Sequence, residues 1–329
     1  MNHPVTMTPI NQLFDCAKGA SDTLVVGVRD TPHPRVPQVD PVFQPTRGNF
    51  SDFRAWMTLS SPADWLYIAG PTGCGKSSLI RNIAAKLNVP LWEVTGHDQL
   101  DVADLLSQRV LLGGDLLAQH GPLVQAYLEG GWFVLNEVDL IHPSRLVGLN
   151  EIGSTITLLD MGGERVTPHP DFRFIATGNS PGLGDSSGLY TGVKRMNAAF
   201  MDRFTVMRQY YPDEATESGL LEARFGHVPE VLRNGLIRVA NMARERFAPL
   251  DEKGNQVAGD IEKTISTRGL VRWASMVEMF FPVAAIQQPV TYSLDRAIAF
   301  GAEPATRELL HSLVQRVFGD DERNPTGAP

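Results

Sequence analysis

The apolar positions of this chain fall in short continuous runs: W-L-Y-I-A (65–69), L-W-E-V-T (91–95), W-F-V-L-N (132–136), F-R-F-I-A-T (172–177) and F-T-V-M-R-Q-Y (204–210). Helical stretches such as S-S-L-I-R-N-I-A-A-K-L separate them. Strands that are apolar on both faces and alternate with helices predict an α/β fold, a parallel five-stranded sheet with helices on both faces. Between the third and fourth runs, I-T-L-L-D-M-G-G-E-R-V-T sets two short β-prone segments around M-G-G-E, which predicts a hairpin near 156–169. From about residue 213 the spacing turns helical, over 213–224, 229–247, 267–280 and 304–317. These segments predict a smaller helical domain.

The ends read differently. Residues 1–50 are rich in proline, and T-P-H-P-R-V-P-Q-V-D-P-V-F-Q-P cannot form a helix because proline removes donors and biases its predecessor to extended backbone. This segment is expected to lie on the surface of the following domain, with a short strand in T-L-V-V-G-V. The expected organisation is therefore a proline-rich segment (1–50), an α/β domain (51–211), a helical domain (212–318) and a disordered tail (319–329).

Composition narrows the function classes. A chain of 329 residues, 43% hydrophobic and 20% charged, suits one large α/β domain plus a smaller one. A net charge of -8 argues against duplex DNA as the main partner, since phosphate binding needs clustered Lys and Arg. Two cysteines, Cys16 and Cys74, suggest neither a disulfide framework nor a zinc site. No apolar run is long enough to span a membrane, and the first residues lack the pattern of a secretory signal. A cytoplasmic, soluble protein is expected. The eight histidines show no metal-ligand spacing and read as surface or turn residues.

The chemistry-bearing stretch is G-P-T-G-C-G-K-S, directly after the first strand and directly before a helix. It matches the full G-x-x-x-x-G-K-S/T phosphate loop: Gly70, Pro71, Thr72, Gly73, Cys74, Gly75, Lys76 and Ser77, followed by Ser78. Glycines let backbone N–H groups curl around an anion, and the helix N-terminus adds positive potential. Lys76 is expected on the β- and γ-phosphates of ATP and Ser77 on Mg²⁺. Such a loop needs an acidic strand end beside it. Here the third strand ends F-V-L-N-E, which makes Glu137 the candidate general base and Asn136 the residue in the metal position, contacting Mg²⁺ through water. An amide brings no charge, so weaker metal binding or slower turnover is expected, with Asn136→Asp restoring or raising it. Asp139 reads as a turn cap facing elsewhere. Asn179, after the fourth strand, is suited to orient the lytic water. Arg203 in M-D-R-F is a candidate finger toward a neighbouring subunit's γ-phosphate, and Arg268 in S-T-R-G-L a candidate nucleotide contact from the helical domain. Arg195 is a further basic candidate near a subunit edge, and L-L-G-G-D (111–115) a candidate pore-facing loop.

Taken together, these motifs resemble the AAA+ ATPases, with the helical domain as their lid. The hairpin and G-P-L-V-Q-A-Y-L-E-G-G-W-F-V-L-N-E are similar to the MoxR branch. H-P-D-F-R-F-I-A-T-G-N-S-P-G-L-G-D-S-S-G-L-Y-T-G resembles the CobS-type subunits of aerobic cobaltochelatase, with the CbbQ/NorQ group more distant. The resemblance implies a homo-hexamer with ATP between subunits, a von Willebrand A domain partner, and a large metalloenzyme or chelatase client. Asn136 stands where that family has Asp. A nucleotide-gated scaffold with little hydrolysis is therefore the alternative to a motor, and a nucleic-acid motor is disfavoured by the acidic balance.

Overall fold

The computed structural model describes residues 3–21, 24–182, 184, 192–247 and 259–323. By its internal contacts the chain divides into two compact units. One holds the sheet and runs to Gln209; the other is helical, begins at Tyr210 and also takes in the loop residues Thr72–Gly75.

The first unit is built on five parallel strands: β1 (Trp65–Ala69), β2 (Leu91–Thr95), β3 (Trp132–Asn136), β4 (Arg173–Gly178) and β5 (Phe204–Arg208). Their order across the sheet is β5-β1-β4-β3-β2. The strands β1 and β3 are buried at every position, which is why they read as unbroken apolar runs. Successive side chains still alternate. Trp65 and Tyr67 join Phe133, Leu135 and Phe174 in one core. Leu66 and Ile68 join Trp132, Val134 and Ile175 in the other, together with Ile10, Phe14 and Phe50 from the N-terminal segment. The carboxyl ends of β1, β4 and β3 lie side by side, so the loops leaving them meet at one edge of the sheet.

The N-terminal segment is more regular than its prolines suggest. Val5–Pro9 and Val25–Arg29 form an antiparallel ribbon. The helix Arg47–Leu59 begins before residue 50, capped by Thr46, whose hydroxyl accepts from the Asn49 N–H. The hairpin between β3 and β4 is formed by Ile156–Leu158 and Glu164–Val166. A second hairpin, Ser107–Leu112 with Asp115–His120, was not anticipated. The stretch 111–115, the candidate pore-facing loop, is the end of this hairpin, with Gly113 and Gly114 in the left-handed turn and Leu111 exposed.

The helical unit contains Glu214–Phe225, Glu230–Phe247, Thr267–Phe280, Pro289–Ala297 and Pro304–Phe318. They bury a core that includes Leu236, Trp273, Leu294 and Leu310. The helix Pro289–Ala297 has no counterpart among the helical stretches expected from the spacing; its proline sits at the first helical position, where the absent N–H costs nothing. The expected disordered tail is corrected over its first residues. Glu322 is buried and accepts from the N–H groups of Val290 and Thr291, which caps that helix, while Arg323 donates to the carbonyls of Phe281, Val283 and Ile286. The rest of the tail, 324–329, lies outside the described residues. No helix among the described residues is long and apolar enough to cross a membrane.

Candidate active site

The phosphate loop leaves the end of β1 and opens the helix Lys76–Lys86. Lys76 Nζ donates to the carbonyls of Gly70 at 2.6 Å and Pro71 at 3.1 Å, and to Asn179 Oδ1 at 3.1 Å. Ser77 Oγ donates to Asn136 Oδ1 at 2.9 Å. The two loop side chains expected at phosphate and metal thus each reach a different strand end, β4 for Lys76 and β3 for Ser77. Ser78 is exposed on the helix and Cys74 is buried, which leaves its thiol little access to solvent.

Gly73 and Gly75 both have left-handed backbone. Within the helical unit, Tyr211 donates its hydroxyl to the Thr72 carbonyl at 3.0 Å. A Cβ on Gly73 would come within 2.6 Å of Ser266 and 3.7 Å of the Arg268 Cβ, so only glycine fits this loop tip. Ser266 caps the helix Thr267–Phe280 by accepting from the Gly269 N–H, and Arg268 is its second residue.

At the end of β3, Asn136 is buried and Glu137 is exposed. Glu137 has left-handed backbone, φ 54 and ψ 41, which is uncommon for a residue with a side chain and turns the chain sharply out of the strand. Its N–H donates to Thr177 Oγ1 at 3.2 Å, and Thr177 Oγ1 in turn donates to Asn136 Oδ1 at 3.1 Å. Asn136 Nδ2 faces Glu93 Oε1 at 3.4 Å across the β2–β3 pairing.

Asp139 does not face elsewhere. It is fully buried, and its Oδ2 accepts the N–H groups of Asn179 at 2.6 Å and Ser180 at 3.2 Å. It is a cap, as expected, but of the loop after β4 rather than of its own turn. Burial raises its carboxyl above the ordinary aspartate range despite those two donors. Tyr67 donates to the Ser180 carbonyl at 2.7 Å, and burial together with Asp139 pushes its phenol up, so it stays a donor. A Cβ at Gly178 would lie 2.0 Å from the Tyr67 hydroxyl and 2.9 Å from Asp139 Oδ2, so the turn into Asn179 requires glycine.

Sequence reasoning missed Glu93, Thr177 and Tyr67. Only Thr177 left a signal, in the A-T-G-N quartet that marked Asn179. Arg203 is not brought to this cluster. It precedes β5 at the opposite edge of the sheet, with its guanidinium over the Trp65 ring at 5.3 Å. Arg195 is exposed. The donor set fits ATP with magnesium. Ser77 and Asn136 offer oxygen ligands suited to a hard divalent cation, and the glycine loop offers a phosphate cradle.

Residues 66–204 match the family described as AAA domain (dynein-related subfamily), and residues 217–317 match CbbQ/NirQ/NorQ C-terminal. Among curated relatives, the aerobic cobaltochelatase subunit CobS of Sinorhizobium sp is 30% identical over 77% of this chain and 74% of its own length. Protein NorQ of Paracoccus denitrificans is 30% identical over 77% of this chain and 86% of its own. The denitrification regulatory protein NirQ of Stutzerimonas stutzeri is 29% identical over 64% and 70%. With the phosphate loop, the parallel sheet and the helical unit in place, this chain belongs to the MoxR-type AAA+ ATPases, the group that includes CobS, NorQ, NirQ and CbbQ.

Proposed function

We propose that this ATPase hydrolyses ATP with magnesium and spends the cycle on remodelling or metal-loading a partner protein. The observation that supports this reading best is the double bridge: Lys76 to Asn179 and Ser77 to Asn136. A loop whose lysine and serine already touch two adjacent strand ends can couple phosphate occupancy to the positions of both. In this reading Gly70–Ser77 cradle the phosphates with Lys76 on the β- and γ-groups, Ser78 and Arg268 add nucleotide contacts, and Ser77 and Asn136 hold the metal side. Magnesium held by these residues would supply positive charge to offset that of the phosphates. Exposed Glu137 takes a proton from the attacking water, and Asn179 orients that water by hydrogen bonding. Arg203, remote from the phosphate loop of its own chain, acts on the nucleotide of a neighbouring copy.

The assembly in this reading is a cytoplasmic homo-hexameric ring that works with a von Willebrand A domain protein on a large metalloenzyme or chelatase. The relatives named for a cobaltochelatase subunit and for denitrification proteins motivate this choice of client.

Steady-state turnover tests it. The wild type hydrolyses ATP with magnesium, and Glu137→Gln loses about a hundredfold or more while still binding ATP. Asn136 favours one competing reading, a nucleotide-gated scaffold. Tight ATP binding without turnover, even with the partner present, would establish the scaffold and sink the motor.

A further inference from the structure

Asn136 lies in a hydrogen-bond chain whose direction is fixed at both ends. The Glu137 N–H donates to Thr177 Oγ1, so that hydroxyl has its proton left to donate to Asn136 Oδ1. At the other end, Asn136 Nδ2 faces Glu93 Oε1, a carboxylate that only accepts. The amide oxygen must therefore point to Thr177 and Ser77, and the amide nitrogen to Glu93. Glu93 is itself held. Its Oε2 accepts from Arg81 Nε at 2.7 Å, and it is only 23% exposed where Arg81 is 53% exposed.

We propose that Glu93 is a positioning residue for the metal side of the site. It keeps the Asn136 amide oxygen toward Ser77, and the Asn136–Glu93 pair together does what one carboxylate at position 136 would do. The negative charge sits on the neighbouring strand, relayed through an oriented amide. The inference rests on the magnesium–ATP reading above. It also reverses the expectation drawn from sequence. A carboxylate installed at 136 would place one of its oxygens against Glu93 Oε1, and two acceptor oxygens with no proton between them repel even with Arg81 on the far Glu93 oxygen.

The test is calorimetric titration of the full chain with ATP, once with magnesium and once with EDTA. Glu93→Ala is expected to weaken magnesium-dependent ATP binding about tenfold, as loss of an outer-shell partner does, and to leave binding in EDTA unchanged. Asn136→Asp is expected to weaken magnesium-dependent binding, and Asn136→Asp with Glu93→Gln to recover it, because the glutamine amide donates to the new carboxylate. Arg81→Ala removes the surface ion pair but keeps the Glu93–Asn136 contact, so it is expected to bind as wild type does. The inference is overturned if Glu93→Ala leaves the magnesium dependence intact, if Arg81→Ala weakens binding as much as Glu93→Ala, or if Asn136→Asp alone tightens binding as much as the double variant. A wild type that binds ATP equally with magnesium and EDTA overturns it as well. A wild type that binds no ATP in either buffer instead removes the nucleotide reading on which the inference stands.

Discussion

Asp139 holds Asn179 by its backbone: Oδ2 accepts the Asn179 N–H at 2.6 Å while the Asn179 side chain reaches Lys76. The strand end that carries Glu137 is thereby tied to the residue proposed to orient water.

Asp139→Ala removes the carboxylate that accepts the half-buried Asn179 N–H and the buried Ser180 N–H, and a loss of about 2 kcal/mol is expected in denaturant unfolding, with turnover reduced more than ATP affinity. Asp139→Asn keeps an acceptor oxygen for both groups and removes a buried charge. Turnover near wild type is expected for it. An asparagine variant as impaired as the alanine variant would show that the charge itself, rather than the tether, is needed.

In the helical unit, Glu217 is fully buried and makes two hydrogen bonds to Arg244, each 2.8 Å, and accepts from Thr267 Oγ1 at 2.7 Å. It therefore fixes the start of the helix that carries Arg268. Glu217→Ala takes the carboxylate away from a buried guanidinium that keeps only the neutral Ile265 carbonyl and Asn241 Oδ1 as acceptors, and a loss of about 3 kcal/mol is expected. Thermal unfolding followed by circular dichroism reads it, and a change below about 1 kcal/mol would mean that the Ile265 carbonyl and Asn241 suffice to hold Arg244.

Asp295 gives the helical unit an acid-sensitive contact. Burial raises its carboxyl, but hydrogen bonds from Arg307 and His311 outweigh this and hold it below the ordinary value. A depressed folded-state carboxyl stabilises fully above the unfolded value, and the contribution is lost as pH falls through the folded one. Wild-type stability should therefore decline below about pH 3.9 more steeply than that of Asp295→Asn. Parallel pH-unfolding curves for the two chains would contradict this.

The sheet was legible because its strands are buried on both faces and so read as continuous apolar runs. The phosphate loop was legible because its spacing is dictated by an anion. The Ser107–His120 hairpin was not, since its strands carry mixed, largely exposed side chains with no clean period. Glu93 and Thr177 were invisible for a different reason. Their place beside Asn136 comes from strand pairing, Thr95 opposite Asn136 and Ala176 opposite Leu135, and pairing register leaves no trace in either segment alone. Asp139 was seen but misdirected, because the left-handed turn at Glu137 aims it at β4 rather than along β3.

Glu322 and Arg323 set a limit on how far the chain can be shortened from its C-terminal side. Trimmed at Phe318, the chain would lose the acid that caps Pro289–Ala297 and the guanidinium that gathers three loop carbonyls, although the helical pattern has by then ended. Any shortened form of this chain therefore has to keep the sequence through Arg323 if the Pro289–Ala297 helix is to keep its cap.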